Sequence, residues 1–360
     1  MMKHRDRVLM ALNHKKPDRC PMQISFTPEF AKRLREDINL NDNQNIHNPH
    51  GGGNQYLIER YIEEDMLLTS VGWANSYYQE EGSYTDEWGV GWKSVKYDTD
   101  YGKGRYTEIV GHPLAEDDNI DSYQSPNPKR PELYEDSKRV IESYKDEYFI
   151  VGVTVTTIFE CAWALRGLER LLMDFIEKPD LAEKILDIPY QYHLTAAKKL
   201  TKMGVDMIWL GDDMGAQNSM LISPKLWRKF FKPKMANFIS ELKEINPNLK
   251  VAYHSDGVIH PIIPDLIEIG LDVLNPVQPQ AMDPASLKKE YGDELSFWGT
   301  IDEQHTLPFG SKEEVKKEVE ERIEKVGYNG GLILGPTHHV QLDTPLKNFW
   351  AMVDTIKNTE

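Results

Sequence analysis

The sequence predicts an α/β chain folded as a (β/α)8 barrel, a TIM barrel, with a β-rich insertion after the second strand. Three observations predict it. First, eight short apolar runs recur: PMQISF (21–26), DMLLTSV (65–71), FIVGVTV (149–155), DMIWLGDD (206–213), VAYHSDG (251–257), VLNPV (273–277), LSFWGTID (295–302) and LILGPTHH (332–339). Most lack polar alternation, so they read as strands buried on both faces of a parallel sheet. Second, helical sequence separates them. Third, the 360 residues suit one barrel with an addition, so residues 1–360 are read as a single domain. An open doubly wound sheet is the alternative architecture.

The helical signals are local and physical. Ser223-Pro224 offers an N-cap hydroxyl followed by a proline at the first helical position. Ser311 and Glu314 have capping-box spacing. An apolar stripe at Val315, Val319, Ile323 and Val326 follows, and GYNGG (327–331) stops that helix. Residues 73–125 break the rhythm. TDEWGVGWKSVKYD and GRYTEIVGH resemble antiparallel strands joined by a turn at DTDYGKG. Such an insertion would sit over the catalytic face of a barrel, with SPNPKRPE (125–132) as its exit linker. HNPHGGGN (47–54) reads as a flexible loop without a nucleotide-binding spacing.

Composition removes several function classes. Hydrophobic residues make up 40% of the chain and charged residues 28%, as in a soluble protein. The formal net charge of −16 repels phosphate backbones and anionic membranes, so nucleic acid is not an expected partner. No apolar run reaches the roughly 18 residues of a membrane span, and the charged start lacks a signal-peptide core. Cys20 and Cys161 form no CxxC pair, which fits a reducing cytoplasm. A homodimer is left open.

In a barrel the residues just past each strand face the active site. Those tips carry Phe26 and Glu29; Phe159 and Glu160; Asp212, Asp213 and Gln217; His254 and Asp256; Asn275 and Gln278; Trp298, Asp302 and Gln304; His338 and His339. Arginine and lysine are scarce among them. Ser255 is the most obvious hydroxyl nucleophile, but no Ser–His pairing is visible. His254 and Asp256 alternate along an extended segment and so point the same way. A histidine and a carboxylate joined by a ligand from another strand make a typical Zn²⁺ or Fe²⁺ site, and His338 is the best third ligand. His339 would point to the opposite face of an extended strand. The plainer alternative is a satisfied core histidine beside an aspartate that caps a loop.

Asp212 and Asp213 also alternate, so only one of them can face a pocket, as base, substrate anchor or partner to a metal-bound histidine. Glu160 lies in the first turn of a helical stretch, where an acid also offsets the helix dipole. These three are the candidate catalytic acids. Phe26, Phe159, Trp163, Gln217, Tyr253, Trp298, Asp302 and Gln304 are the candidate substrate-binding residues. Such aromatic walls suit a flat substrate, although aromatics at these positions more often serve the core.

Several segments together resemble the uroporphyrinogen decarboxylase superfamily: RDRVLMALNHKKPDRCPM (5–22), TDEWGVGW (85–92), FECAWALRGLE (159–169), WLGDDMGAQNSMLISPKLWRKFFKP (209–233), VAYHSDG, FWGTIDEQHTLPFG (297–310) and GGLILGPTHHVQLDTPLKNFWAM (330–352). The resemblance implies a (β/α)8 barrel. It also implies one of two activities: decarboxylation of a porphyrinogen, or zinc-dependent methyl transfer with a corrinoid protein. In the methyltransferase branch a His-x-Cys pair and a later Cys before a TP dipeptide hold the metal. By position, His254 matches the histidine, while Asp256 and His338 stand where the two cysteines would be. An N,O,N set is harder than N,S,S, which argues against thiol substrates and leaves Zn²⁺ polarising an ether or alcohol oxygen. The chain has no DxHxxG segment, so a corrinoid would arrive on a separate protein. The decarboxylase branch carries an RQAGRY-like segment where this chain has QISFTPEFAKR, and a catalytic Asp where it has MLLTSVGWA. Porphyrinogen carboxylates need several cationic partners. Methyl transfer from a small, O-methyl substrate is therefore the expected function. A decarboxylating lyase on a porphyrinogen or smaller acid, and a non-catalytic ligand-binding barrel, are the alternatives.

Overall fold

The computed structural model describes residues 2–40, 55–116 and 120–359. The loop expected at HNPHGGGN lies outside the described residues. Ten strands are described: β1 (Met66–Ser70), β2 (Ser83–Thr85), β3 (Gly91–Thr99), β4 (Gly102–Gly111), β5 (Phe149–Val153), β6 (Met207–Gly211), β7 (Lys250–His254), β8 (Val273–Asn275), β9 (Ser296–Ile301) and β10 (Leu332–Pro336). Seven form one curled parallel sheet in the order β1-β5-β6-β7-β8-β9-β10. Six of the seven are buried at every residue of the strand proper, which is why their sequences do not alternate.

Eight strands were expected from the apolar runs, and the first run is not a regular strand. Between Pro21 and Phe26 the chain is extended and makes only isolated bridges, Met22 to Leu334 and Phe26 to Val340. The reason lies in its hydrogen bonds. Toward β10 they are backbone to backbone: Leu334 N–H to Pro21 O at 2.8 Å and Gln23 N–H to Leu334 O at 2.9 Å. Toward β1, side-chain carboxylates replace a strand neighbour. Asp65 accepts the Met22 N–H at 2.8 Å, and Glu64 accepts the Ile24 N–H at 3.1 Å. The Asp65 N–H returns one bond to Met22 O at 2.9 Å.

The caps behave as their chemistry requires. Ser223 Oγ accepts the Leu226 N–H at the start of helix Pro224–Phe230. Ser311 and Glu314 satisfy each other's N–H groups at the start of helix Lys312–Lys325. No helix among the described residues is long and apolar enough to cross a membrane.

Between β1 and β5 the chain forms a separate antiparallel sheet, β2-β3-β4. The β3–β4 hairpin turns over Asp100-Tyr101, with Thr99 paired to Gly102, inside the DTDYGKG segment. The sequence TDEWGVGW explains itself here. The buried Asp86 carboxylate accepts the indole N–H of Trp92 at 2.9 Å and of Trp73 at 3.2 Å, together with the backbone N–H of Trp88 and Val90. One aspartate thus ties the small sheet to the segment that follows β1.

His193 completes that junction. Its Nε2 accepts the Trp73 N–H at 3.1 Å, its Nδ1–H donates to Pro189 O at 2.9 Å, and its ring stacks on Trp88. Full burial pulls its pKa down from 6.5 to about 4. The native state therefore holds a neutral imidazole while the unfolded chain binds a proton below pH 6.5. This contribution is complete above pH 6.5 and declines as the pH falls toward 4, by about 3 kcal/mol in all. Urea unfolding at several pH values should show that slope flattened in His193→Gln; an unchanged slope would contradict the assignment.

Candidate functional site

A cavity of about 230 Å³ opens at the C-terminal ends of the parallel strands. β6, β7 and β8 build its polar wall. His254 ends β7, in register with Gly211 of β6 and Asn275 of β8. Gly211 has φ +151, and a Cβ there would lie 2.5 Å from the His254 backbone oxygen. Glycine therefore allows the chain after β6 to cross directly over His254. Gly257 repeats the device at φ +74, where a Cβ would lie 2.5 Å from Ala216 O.

The His254 tautomer follows from its neighbours. Asn275 Nδ2 donates to Trp298 O at 3.2 Å, so Asn275 Oδ1 is left to accept His254 Nδ1–H at 2.8 Å. His254 Nε2 then points at Asp213 Oδ1, 3.5 Å away. That oxygen also accepts the Asp256 N–H at 2.8 Å. A nitrogen lone pair facing a carboxylate repels it unless a proton or a cation stands between them.

One ligand atom from each of Asp213, His254 and Asp256 lies within 4.8 Å of the others. Asp256 Oδ1 is shut off from solvent and has no hydrogen-bond partner among the described residues, an orphan that requires an explanation. Burial raises the Asp256 pKa; the nearby His254 and His338 oppose this, and Asp213 adds to it. An O,N,O set with one uncommitted carboxylate oxygen and a histidine steadied through Nδ1 fits a divalent cation. Gln278 Oε1 accepts the Gly257 N–H at 2.6 Å, and Ser255 Oγ accepts the Met214 N–H at 2.9 Å. Ser255 thereby holds a loop.

The other candidate residues separate by position. Glu160 lines the cavity, and its Oε2 accepts the Asp213 N–H at 3.3 Å. Its pKa stands well above the usual range, through burial first and then the carboxylates of Asp213 and Asp212. Asp212 is fully buried and turns away. Its two oxygens accept the Ile158 N–H at 3.0 Å and one takes the Glu160 N–H at 2.9 Å, which fastens the start of helix Phe159–Arg166. Trp298 and His338 line the cavity, but His338 stands outside the three-residue cluster found among the described residues. His339 lines it too, because β10 ends at Pro336 and the chain bends before both histidines. The opposite-face placement expected for an extended strand does not hold.

The remaining substrate-binding candidates lie elsewhere. Phe26 packs on Phe30 and Phe349, and Phe159 on Phe231 and Phe175. Tyr253 is fully buried, its hydroxyl donating to Asp212 O at 3.4 Å, and Trp163 packs against the core. Gln217 and Gln304 are exposed. Asp302 closes its own turn by accepting the N–H of Gln304 and His305, and takes a bond from Gln280. Apolar tips were drawn into packing by the outer helices, which tip position alone does not reveal.

Sequence reading passed over Tyr77, Tyr78, Thr156 and Trp209 as individual lining residues. Tyr77 and Tyr78 follow the short 3₁₀ turn Trp73–Ser76 after β1. Tyr78 has φ +61, and Arg105 of β4 donates to its carbonyl and to that of Glu80. The doubled tyrosine was the available signal. Thr156 has φ +60, unusual for a β-branched residue and typical of strain held at functional sites.

A parallel α/β sheet with acids, histidines and aromatics gathered at its strand tips defines an enzyme-like site. The family model described as uroporphyrinogen decarboxylase (URO-D) matches residues 93–359, and the chain belongs to that family. It is similar to the methylcobamide:CoM methyltransferase MtaA of Methanosarcina barkeri, 28% identical over 179 residues, 49% of each chain. It is also similar to uroporphyrinogen decarboxylase 2, chloroplastic, of Oryza sativa subsp. japonica, 26% identical over 158 residues, 42% of this chain and 39% of that one. The chain thus matches about half the length, or less, of these curated relatives. A solved methyltransferase from Methanosarcina mazei shares the fold, with a TM-score of 0.71, 19% identity and 99% coverage of both chains.

Proposed function

We propose that the chain is a metal-dependent methyltransferase, moving a methyl group between a small substrate and a corrinoid carried by a separate protein. The observation that carries this reading is the Asp213–His254–Asp256 cluster, with its orphaned Asp256 oxygen, in a strand-tip cavity. Kinship with MtaA and a lining free of arginine and lysine among the described residues support it. The same lining speaks against a porphyrinogen, whose carboxylates would lack cationic partners. In this reading the Pro21–Phe26 segment completes an eight-fold barrel, the β2-β3-β4 sheet is an insertion that roofs the cavity, and the cell compartment is the cytoplasm.

Asp213, His254 and Asp256 would hold Zn²⁺ or a similar ion, with His338 close by. When bound, the ion would supply Lewis acidity to a substrate heteroatom that carries a free electron pair. Asn275 fixes the ring of His254 through Nδ1, and the Asp256 N–H fixes Asp213. Burial first, and then the carboxylates of Asp213 and Asp212, push the Glu160 pKa well above its usual range. Its Oε2 accepts the Asp213 N–H, which leaves Oε1 to face the cavity side. Trp209, Trp298, Tyr77 and Tyr78 wall the space and limit water.

The test is turnover. The metal-loaded protein, mixed with cob(I)alamin and a panel of methyl ethers, methylamines and methyl sulfides, is expected to form methylcobalamin, followed by its absorption spectrum. No formation across the panel, with decarboxylation of uroporphyrinogen at an enzymatic rate, would replace this reading with the lyase.

A further inference from the structure

We propose that the cavity takes a small organic cation bearing methyl groups, an ammonium or sulfonium centre, held against the aromatic walls beside the acidic cluster. This names the substrate class of the site and rests on the methyl-transfer reading above.

Charge and shape carry it. Among the described residues, no lysine or arginine lines the cavity, whereas Glu160 and Asp213 do and Asp256 adjoins them. A divalent ion would balance Asp213 and Asp256; Glu160, a third acid beside them, is left to the substrate side. Four aromatic residues face the same space: Tyr77, Tyr78, Trp209 and Trp298. Trp209 and Trp298 make a corner, with ring centres 4.5 Å apart and planes at 43°. The ring of His254 meets Trp209 edge-on at 5.7 Å, so the aromatic corner abuts the cluster directly. Aromatic faces attract a methylated cation, and the attraction grows when water is excluded. At about 230 Å³ the cavity is below the roughly 300–1,000 Å³ of drug-sized sites. An anion there would meet carboxylates and ring faces with no compensating charge.

The chemistry balances. The carbon–nitrogen or carbon–sulfur bond breaks, and its electron pair stays on the heteroatom. A neutral amine or sulfide departs without needing a proton. The corrinoid's cobalt(I) supplies the pair for the new bond to the methyl carbon and is formally oxidised by two electrons.

Binding tests this apart from turnover. Choline, its uncharged isostere 3,3-dimethylbutan-1-ol and the anion 3,3-dimethylbutanoate are titrated against the protein, followed by tryptophan fluorescence, with and without Zn²⁺. Choline is expected to bind at least about tenfold tighter than the alcohol, and the anion weakest. Tyr78→Leu should lose most of choline's advantage, while Tyr78→Phe, which keeps the ring face, should retain it. Equal or tighter binding of the alcohol, or no saturable choline binding, would overturn the proposal. A failure of methyl transfer with choline binding intact would instead count against the reaction, because this measurement involves no cobalamin.

Discussion

His254→Ala is expected to abolish metal-dependent methyl transfer, with kcat/KM falling at least about 100-fold, and to release the metal. The imidazole is the one nitrogen donor in the cluster, and its removal leaves Asp213 and Asp256 as two close, half-buried carboxylates. Asn275→Ala should act in the same direction through His254. It removes the acceptor that fixes Nδ1–H and frees the ring to turn, a change that costs about 10–100-fold in metal affinity at comparable sites. Metal titration of both variants, with circular dichroism to confirm folding, checks this. A fully metal-loaded Asn275→Ala variant with unchanged activity would contradict the placement of His254.

Asp65→Asn is expected to destabilise the fold by about 3–5 kcal/mol, measured as a lower urea midpoint. Asp65 sits at the opposite end of the sheet from the cavity, with no exposed surface. Its carboxylate meets Arg7 at 2.6 Å, Arg19 at 2.7 Å, His4 at 2.8 Å and the Met22 N–H at 2.8 Å. Burial alone would raise its pKa, but His4, Arg19 and Arg7 outweigh it and hold it below the usual range. An amide keeps the shape and loses the charge, leaving buried Arg7 with Asp18 as its one carboxylate partner among the described residues. It also turns a donor toward one of these donors and loosens the Pro21–Phe26 segment. Domains carry only about 5–15 kcal/mol in total, so this is a large share. A change below about 1 kcal/mol would show that the cluster is dispensable.

How much of this was legible in the sequence depends on the residue. Strands with unbroken apolar runs were readable, because burial on both faces leaves no alternation to confuse them. Pro21–Phe26 was harder: its pairing toward β1 runs through the carboxylates of Asp65 and Glu64, which no local pattern encodes. His254 ends β7 and Asp256 stands two residues on, and their ligand atoms lie within 4.8 Å of each other, a proximity that local spacing suggests. The division between Asp212 and Asp213 was legible as a rule but not as a choice. The N–H groups at Ile158 and Glu160, over 50 positions earlier in the chain, decide it. His339 depended on where β10 stops. Phe26, Phe159 and Tyr253 look like pocket residues by tip position, yet each is claimed by neighbours distant in sequence.

The most direct measurement is the metal content of the purified protein and of Asp213→Ala, His254→Ala and His338→Ala, by elemental analysis after equilibration with Zn²⁺. The account predicts one tightly bound equivalent in the wild type, lost in the first two variants, with His338→Ala affected less because it stands outside the three-residue cluster. A wild-type protein that holds no stoichiometric divalent ion, or a His254→Ala protein that holds it as well as the wild type, would contradict the metal centre and the methyl-transfer chemistry built on it.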